Sequence, residues 1–322
     1  MARIAVLHEA DRDFAADVRA GLTNALQKQL PSRYLYDTIG SGLFEVITAL
    51  PEYGVTRAEE RIVRSRAADI ASLLPARPIV AELGSGSARK TRWLLEALAA
   101  RHPVTYCPID ISPTALGLCR HELADMPSVR VVAYERDYLD GLRAIVAKRD
   151  AKTPLVVLFL GSTIGNFRRL AATRFMREVR ALLQPGDAFL LGVDLMKAEA
   201  VLLPAYDDAL GVTAAFNLNL LLRINRELGG DFDVRRFAHE ARFEPETRSV
   251  DMHIRSLGEQ QVKIAGAGIV VAFTRGETIW TESSHKYQAD EVPAMGEIAG
   301  FRCAGQWQDR SWPFADTLFA VG

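Results

Sequence analysis

The sequence predicts an α/β protein in which a doubly wound parallel sheet is joined to a second, α+β unit. Short apolar runs alternate with helical patterns between about residues 78 and 196. The runs are apolar at nearly every position, which is typical of parallel strands covered by helices on both faces. Outside this region the alternation is lost, and this change predicts the second unit.

Five apolar runs predict the strands of the sheet, and helical patterns fill the intervals between them. Ser112 and Pro113 form an N-cap and first-turn pair for a helix that should continue to about Met126. Residues 185–187, Pro-Gly-Asp, predict a turn before the last of these strands. The predicted strands are 78–84, 104–110, 129–134, 154–161 and 188–195, and the other predicted helices are 91–102 and 168–184.

The rest of the chain follows other patterns. Residues 211–228 form a long helical run, residues 248–257 alternate as a strand does, and residues 263–276 predict a further strand. The last two segments, RCAGQWQDR and FADTLFAVG, predict a terminal antiparallel pair. We therefore expect a sheet domain and a second domain. The sheet domain would comprise 60–196 and 287–322, and the second domain 1–59 and 197–286.

Composition and charge exclude several classes of protein. The net charge of −1 comes from 39 basic and 40 acidic residues without a basic run, which argues against nucleic-acid binding. The longest apolar runs, such as 155–160, are too short to span a bilayer, and the N-terminus has no signal-peptide pattern. Cys107, Cys119 and Cys303 lie far apart, which disfavours disulfides and a zinc site. We expect a cytoplasmic monomer with neither a membrane partner nor a metal.

The first loop of the sheet, GSGSARKT at 84–91, indicates the class of cofactor. Arg89 stands where both the dinucleotide motif and the phosphate loop require a glycine. A cofactor without phosphates makes a milder demand on this turn, and S-adenosylmethionine (SAM) is such a cofactor. The stretch from Glu82 to Gly86 reads E-x-G-x-G, which resembles the usual loop of class I SAM-dependent methyltransferases, enzymes with a Rossmann-like sheet. Gly84 and Gly86 would permit close approach of the backbone.

Acidic residues end the next two strands. Asp110 closes the second strand, where a carboxylate can accept hydrogen bonds from both ribose hydroxyls. Asp137 follows the third strand and can meet an adenine amino group, and Tyr138 beside it offers an aromatic surface. Each acid alone could equally be an ordinary surface residue at a strand end. Three matching positions on successive strands favour the cofactor.

The fourth strand ends in GSTIGNF, residues 161–167. The Asn/Asp-Pro-Pro-aromatic motif of DNA adenine methyltransferases is missing there. Backbone carbonyls and the amide of Asn166 could position a small polar substrate, but the segment could also be a turn that needs its glycines.

Six segments together resemble one family, the histidine Nα-methyltransferases of ergothioneine biosynthesis, which make hercynine, the trimethylbetaine of histidine. The resemblance covers nearly the whole chain from about residue 15 and includes both the sheet and the insertion. It implies that the sheet domain binds SAM and the second domain binds the substrate. The segments are 34–53, 82–92, 159–167, 205–219, 225–233 and 281–287.

The resemblance implies a role for individual residues, with Tyr36 and Asn166 as the catalytic pair. The reaction would leave S-adenosylhomocysteine, and the substrates would be L-histidine and its mono- and dimethyl forms. The cofactor would meet Gly84, Gly86, Lys90, Asp110, Asp137 and Tyr138. The carboxylate would meet Tyr53, Asn166 and Tyr206, the amine Tyr36, Asn166 and the Gly161 carbonyl, and the imidazole Glu282, Ser284 and Met252.

Three positions depart from the family pattern. Gly54-Val55 replace an aromatic residue and a proline, Arg89 replaces an acid, and His285 replaces a small residue. The alternatives are the same chemistry on tryptophan or tyrosine, a SAM-binding module without catalysis, and a methyltransferase acting on RNA or protein. Met252 and Glu282 argue against a bulkier ring, because it would need their space and would leave the carboxylate poorly paired.

Overall fold

The computed structural model describes residues 9–322, with side chains from Phe14 onward. The pattern that argued against a signal peptide begins in residues 1–8, which lie outside the described part. The chain divides into two compact units. The first comprises the described residues up to Glu52 together with Glu199–Ser283, and the second comprises Tyr53–Ala198 together with Ser284–Gly322.

The described chain contains both α-helices and β-strands. The helices are α1 (Glu9–Leu22), α2 (Thr38–Ala49), α3 (Val55–Leu73), α4 (Thr91–Ala99), α5 (Pro113–Glu122), α6 (Tyr138–Lys148), α7 (Arg169–Leu182), α8 (Glu199–Tyr206), α9 (Val212–Leu228) and α10 (Glu291–Ile298). The strands are β1 (Lys28–Gln29), β2 (Ile79–Leu83), β3 (Val104–Asp110), β4 (Val129–Val131), β5 (Tyr134–Glu135), β6 (Leu155–Phe159), β7 (Ala188–Asp194), β8 (Phe237–Glu244), β9 (Ser249–Ser256), β10 (Gln260–Ile264), β11 (Ile269–Phe273), β12 (Thr278–His285), β13 (Arg302–Asp309) and β14 (Phe314–Ala320).

The second unit contains the predicted doubly wound sheet. Its strands lie in the order β13-β14-β7-β6-β2-β3-β4, and β5 also pairs with β3. Strands β2, β3, β4, β6 and β7 are parallel, whereas β14 is antiparallel to both β7 and β13. The predicted fold class is therefore confirmed, including the antiparallel terminal pair.

The strand order reverses between β2 and β6, which makes this pair the topological switch point of the sheet. Ligands of open α/β sheets bind outside the carboxyl ends of the strands at such a point. The segment after β2 is GSGSARKT, whose last residue begins α4, and the loop after β6 begins at Leu160 and includes Gly161. The topology thus places the two loops singled out in the sequence on either side of the switch point.

Both faces of this sheet are buried, as the apolar runs predicted. Along β6, Leu155, Val157 and Phe159 belong to one hydrophobic cluster, whereas Val156 and Leu158 belong to another. Side chains alternate between the faces of a strand, so the two clusters lie on opposite faces. Burial of apolar surface in these clusters stabilises the unit, at about 25 cal/mol per Å² removed from water.

Three details differ from the sequence prediction. The third strand, expected at 129–134, is divided into β4 and β5. The helix that Ser112 caps, with its hydroxyl oxygen accepting from Ala115 N at 3.3 Å, ends at Glu122. The domain boundary placed at residue 59 falls inside the continuous helix α3, which belongs to the sheet unit.

The first unit has a four-stranded sheet in the order β1-β12-β9-β8. The strand predicted at 248–257 is β9, and it pairs antiparallel with β8. The region 263–276 holds more than the one strand expected, because β10 and β11 form an antiparallel hairpin there. Helix α9 matches the predicted helical run and ends at Leu228. The C-cap, Gly229, has a φ of +61° and lets the chain leave the helix in a left-handed conformation.

Candidate functional site

The glycines of the loop after β2 adopt backbone conformations that other residues rarely adopt. Gly84 and Gly86 have φ values of +70° and +53°. A side chain at Gly84 would also lie 3.3 Å from the ring of Tyr138. Left-handed glycines aim backbone groups toward a bound molecule without a Cβ in the way. The structure thus brings together Gly84 and Tyr138, two of the predicted cofactor residues.

Asp110 and Gly86 form a second such pair. The Asp110 carboxylate accepts hydrogen bonds from Gly86 N at 3.1 Å and from Ser112 N at 2.9 Å. Burial raises the pKa of Asp110, and the backbone donors Ser112 and Gly86 oppose this shift. A carboxylate oxygen accepts more than one hydrogen bond, so the two backbone contacts fix the group and leave it able to accept hydroxyl groups.

The other acids near this loop have local partners. Asp137 is exposed and accepts from Tyr138 N at 2.7 Å, so it begins α6 as its N-cap. Glu82 is buried and accepts from the hydroxyls of Thr91, at 2.8 Å, and Tyr106. Burial raises the pKa of Glu82 to about 7 despite these donors. The hydrogen bonds of Glu82 therefore join β2 to β3 and α4 beneath the loop. The contact of Asp137 with adenine stays a prediction.

Lys90 has a partner that the sequence did not predict. Its ammonium group forms an ion pair with Glu59 of α3, a side chain that is 0% exposed. Burial opposes the charge on Lys90, but Glu59 raises its pKa above the usual value. The Glu59 carboxylate also accepts from Gly161 N, at 2.7 and 2.9 Å for its two oxygens. One buried carboxylate therefore contacts both loops at the switch point.

Asp316 of β14 lies beside this carboxylate. Both of its oxygens are buried and have no hydrogen-bond partner among the described residues. Burial, followed by the charge of Glu59, raises the pKa of Asp316 well above its usual value. A side chain at Gly192 would lie 2.0 Å from Glu59 Oε1 and 2.9 Å from Asp316 Oδ1, so only glycine leaves room for both carboxyl groups.

The loop after β6 is held by two side-chain hydrogen bonds, at Ser162 and at Gly165, just before Asn166. Gly161 and Ser162 have φ values of +76° and +59°, and Ser162 Oγ accepts from Asp194 N at 2.9 Å. A short 3₁₀ helix then runs from Thr163 to Asn166. The carbonyl of Gly165 lies 2.9 Å from His285 Nδ1, which donates to it. His285, one of the departures from the family pattern, thus holds the turn that carries Asn166.

Ser284 is held by a buried lysine. Lys286 is 0% exposed, donates to Ser284 Oγ at 2.9 Å and forms an ion pair with Asp194 at 2.8 Å. Asp194 also accepts from Lys197 at 2.6 Å and from the Trp312 indole at 2.9 Å. Burial alone would raise the pKa of Asp194, but Lys286 and Lys197 outweigh it and keep the pKa below its usual value.

The other two departures from the family pattern, at Gly54-Val55 and at Arg89, have different surroundings. A side chain at Gly54 would lie 2.1 Å from the Trp312 ring, so this indole occupies the space where an aromatic residue at position 54 would begin. Arg89 is exposed. The tyrosine before Gly54, Tyr53, is 8% exposed in the same unit.

The first unit places Tyr36 in an aromatic cluster. Its ring centroid lies 5.5 Å from those of Phe44 and Phe216, both in edge-on arrangements. The neighbouring Asp37 caps α2 by accepting from Gly40 N at 2.7 Å, and it also accepts from Asn219 Nδ2 at 2.8 Å. Asn219 belongs to α9, so the segments around residues 36 and 219, both part of the resemblance, lie together.

The other predicted substrate residues of this unit lie on α8 and the four-stranded sheet. Tyr206 ends α8, and its carbonyl accepts from His239 Nε2 at 2.7 Å. Met252 is 2% exposed, and its carbonyl accepts from the Thr281 hydroxyl at 3.0 Å, next to Glu282 in the adjacent strand. The structure thus brings Met252 and Glu282 into neighbouring strands. Their contact with a substrate ring stays a prediction.

Sequence reasoning missed the buried charged residues Glu59, Asp194, Lys286 and Asp316. Asp194 lies between two apolar residues, and Asp316 lies in a mostly apolar strand. This is a signal that could have found them, because isolated acids are rare in doubly covered strands. Among the described residues, no group of three or more His, Cys, Asp or Glu is placed to hold a metal ion. The described helices include none that is long and apolar enough to cross a membrane.

The chain is similar to known proteins over nearly its whole length. Residues 14–321 match a family model described as a histidine-specific, SAM-dependent methyltransferase. The histidine N-alpha-methyltransferase of Mycolicibacterium smegmatis is 40% identical over 306 residues, which cover 94% of this chain and 93% of that protein. The enzyme of the same name from Mycobacterium tuberculosis is also 40% identical, with 94% of each chain covered. Ergothioneine biosynthesis protein 1 of Neurospora crassa is 31% identical over 87% of this chain and 32% of its own length.

Proposed function

We propose, on the premise that this chain belongs to the family of histidine-specific, SAM-dependent methyltransferases, that it methylates the α-amino nitrogen of L-histidine to hercynine. The observation that carries this function is the 40% identity to two histidine N-alpha-methyltransferases, which extends over both units rather than the sheet alone. Hercynine formation would be the first step of ergothioneine biosynthesis.

The sheet unit has the class I fold and residues that fit SAM. Left-handed Gly84 and Gly86 would receive the methionine end of the cofactor. Asp110, fixed by two backbone donors, would accept both ribose hydroxyls. Tyr138 packs against Gly84 and would contact the adenosine, with Asp137 near the adenine amino group. Lys90 would assist cofactor binding by its position in the loop rather than by its ammonium group, because that group is paired with Glu59.

Histidine would be bound by neutral donors at one end and by a carboxylate at the other. Tyr53, Tyr206 and Asn166 would donate to the substrate carboxylate, which needs donors without an extra buried charge. Glu282 would accept from the imidazole N–H, and Ser284, two residues on in β12, would donate to the other ring nitrogen. Lys286 supports this role, because Ser284 Oγ accepts from it and the hydroxyl hydrogen must therefore point elsewhere.

SAM supplies a methyl group that is already activated by its sulfonium centre. The contribution of the protein is alignment and removal of water, which together lower the barrier to an in-line displacement. Tyr36 would orient the neutral amine, while Asn166 or a bound water helps each proton leave. The rings of Tyr36 and Phe44 would stabilise the fixed positive charge of the product.

Replacing Tyr36 by phenylalanine is expected to slow methylation more than it weakens histidine binding. The variant keeps the ring packed against Phe44 and Phe216 but loses the hydroxyl that orients the amine. We expect kcat to fall by about 100-fold, the lower end of the range for a positioned proton-handling group. Single-turnover rates and calorimetric histidine affinity check this, and weaker binding with unchanged turnover would contradict the role.

The function itself is tested by incubating the protein with SAM and each amino acid in turn and recording methyl additions by mass spectrometry. We expect mono-, di- and trimethylated histidine, with S-adenosylhomocysteine formed in step. Methylation of tryptophan or tyrosine in preference to histidine would assign the chemistry to another amino acid. Absence of methyl transfer to every amino acid would contradict the enzyme function and leave a SAM-binding module.

A further inference from the structure

We propose that Glu59 is a positioning residue for methyl transfer, whose carboxylate joins the loop after β2 to the loop after β6. The inference rests on the proposed function, because those loops would hold the methyl donor and the acceptor amine respectively. Glu59 itself lies on α3, outside both loops, and none of the sequence motifs includes it.

The geometry around Glu59 is that of a junction with three contacts. Its two oxygens accept from Gly161 N at 2.7 and 2.9 Å, and Lys90 Nζ lies against Oε2. Lys90 Nζ would also lie 3.4 Å from a side chain at Gly161, so the two loops meet at this carboxylate. Because Gly161 lies two residues after the end of β6 and Lys90 directly precedes α4, Glu59 fixes the spacing between the two loop backbones.

The charges within the junction balance when Glu59 is ionised. The ammonium group of Lys90 supplies one positive charge, and the ionised Glu59 supplies one negative charge. Asp316, a further ionisable group beside Glu59, has no hydrogen-bond donor among the described residues, and burial and the charge of Glu59 raise its pKa well above the usual value, which favours its neutral form. A buried charge must be paired and hydrogen-bonded, and Glu59 meets both conditions through partners from the two loops.

Stability alone is a poor explanation for this arrangement. Replacing a buried ion pair by apolar residues of similar volume is often neutral or stabilising, so a buried pair is weak evidence for a stabilising role. Positioning of the two loops is a better explanation, because misplacing reacting groups by about 1 Å can cost about 100-fold in rate. The junction lies at the switch point, where such a displacement would separate donor from acceptor.

The test compares Glu59→Gln with Glu60→Gln, the same change one residue along α3. Glutamine keeps an oxygen for Gly161 N, but its amide nitrogen faces Lys90 and cannot pair with it. We expect Glu59→Gln to lower kcat at saturating SAM and histidine by about 10- to 30-fold, within the range for misplaced groups. The calorimetric Kd for SAM should change less than about threefold, since Asp110, Gly86 and Tyr138 are untouched. Glu60→Gln should match the parent.

A second variant separates positioning from folding. Glu59→Gln removes the ion-pair partner of Lys90, a partly buried charge, which is destabilising, whereas E59Q/K90M removes both charges. We expect the double variant to regain the thermal stability of the parent without regaining kcat. Recovery of kcat together with stability, or a kcat of Glu59→Gln equal to that of Glu60→Gln, would overturn the inference. Absence of methyl transfer by the parent in the same experiment would overturn the proposed function, and the inference with it.

Discussion

Replacing Asp110 by alanine is expected to weaken SAM binding by about 100- to 10,000-fold. Two hydrogen bonds from ribose hydroxyls to a charged group would be lost, at about 1.5–3 kcal/mol each. The change also removes the acceptor for Gly86 N and Ser112 N, so the loop that carries the left-handed glycines loses its anchor. Calorimetric titration with SAM and with S-adenosylhomocysteine measures the effect directly.

Two further variants sharpen this measurement. Asp110→Asn keeps one carbonyl oxygen for the backbone donors, so its loss of affinity should lie between those of the parent and the alanine variant. Asp140→Ala removes an exposed carboxylate on α6 that pairs with Arg143, and SAM affinity should be unchanged. If Asp110→Ala binds SAM within threefold of the parent, the ribose contact is wrong.

Much of the sheet could be predicted from the sequence because its strands carry their own signal. Strands β2, β3, β6 and β7 begin and end within two residues of the predicted runs. Parallel strands buried on both faces must be apolar throughout, so a local window suffices to find them. The signal for the loop after β2 is also local in sequence, since two glycines at fixed spacing after a strand define a turn.

The buried charges could not be predicted because their partners are distant in the sequence. Glu59 lies in VTRAEERIVRSR, where nearly every second residue is charged, and such a pattern indicates a solvated helix face. Its partners Lys90 and Gly161 lie 31 and 102 residues along the chain. The role of Lys286 likewise depends on its contacts with Asp194 and Ser284, which are not apparent from the sequence. The sequence could name Lys90 and Ser284 as site residues but not the groups that hold them.

Replacing Asp316 by asparagine is expected to stabilise the protein, by an amount that grows with pH. In the folded state burial and the charge of Glu59 raise the pKa of Asp316 well above its usual value, so folding favours the protonated carboxyl group. In the unfolded chain it ionises near pH 4. Above that pH the folded state binds one proton more than the unfolded state, so stability falls as pH rises, by about 1.4 kcal/mol per pH unit up to the folded pKa.

Asparagine resembles a protonated carboxyl group in shape and does not ionise, so the variant avoids this loss. Urea unfolding of parent and variant at pH 5, 6, 7 and 8 should give a difference in the free energy of unfolding that favours the variant and increases with pH. Asp309→Asn provides the opposite case, because Arg61 lowers the pKa of Asp309. That variant should be less stable than its parent, by an amount that changes little between pH 5 and 8. A pH-independent difference for Asp316→Asn would mean that Asp316 is ionised in the folded protein.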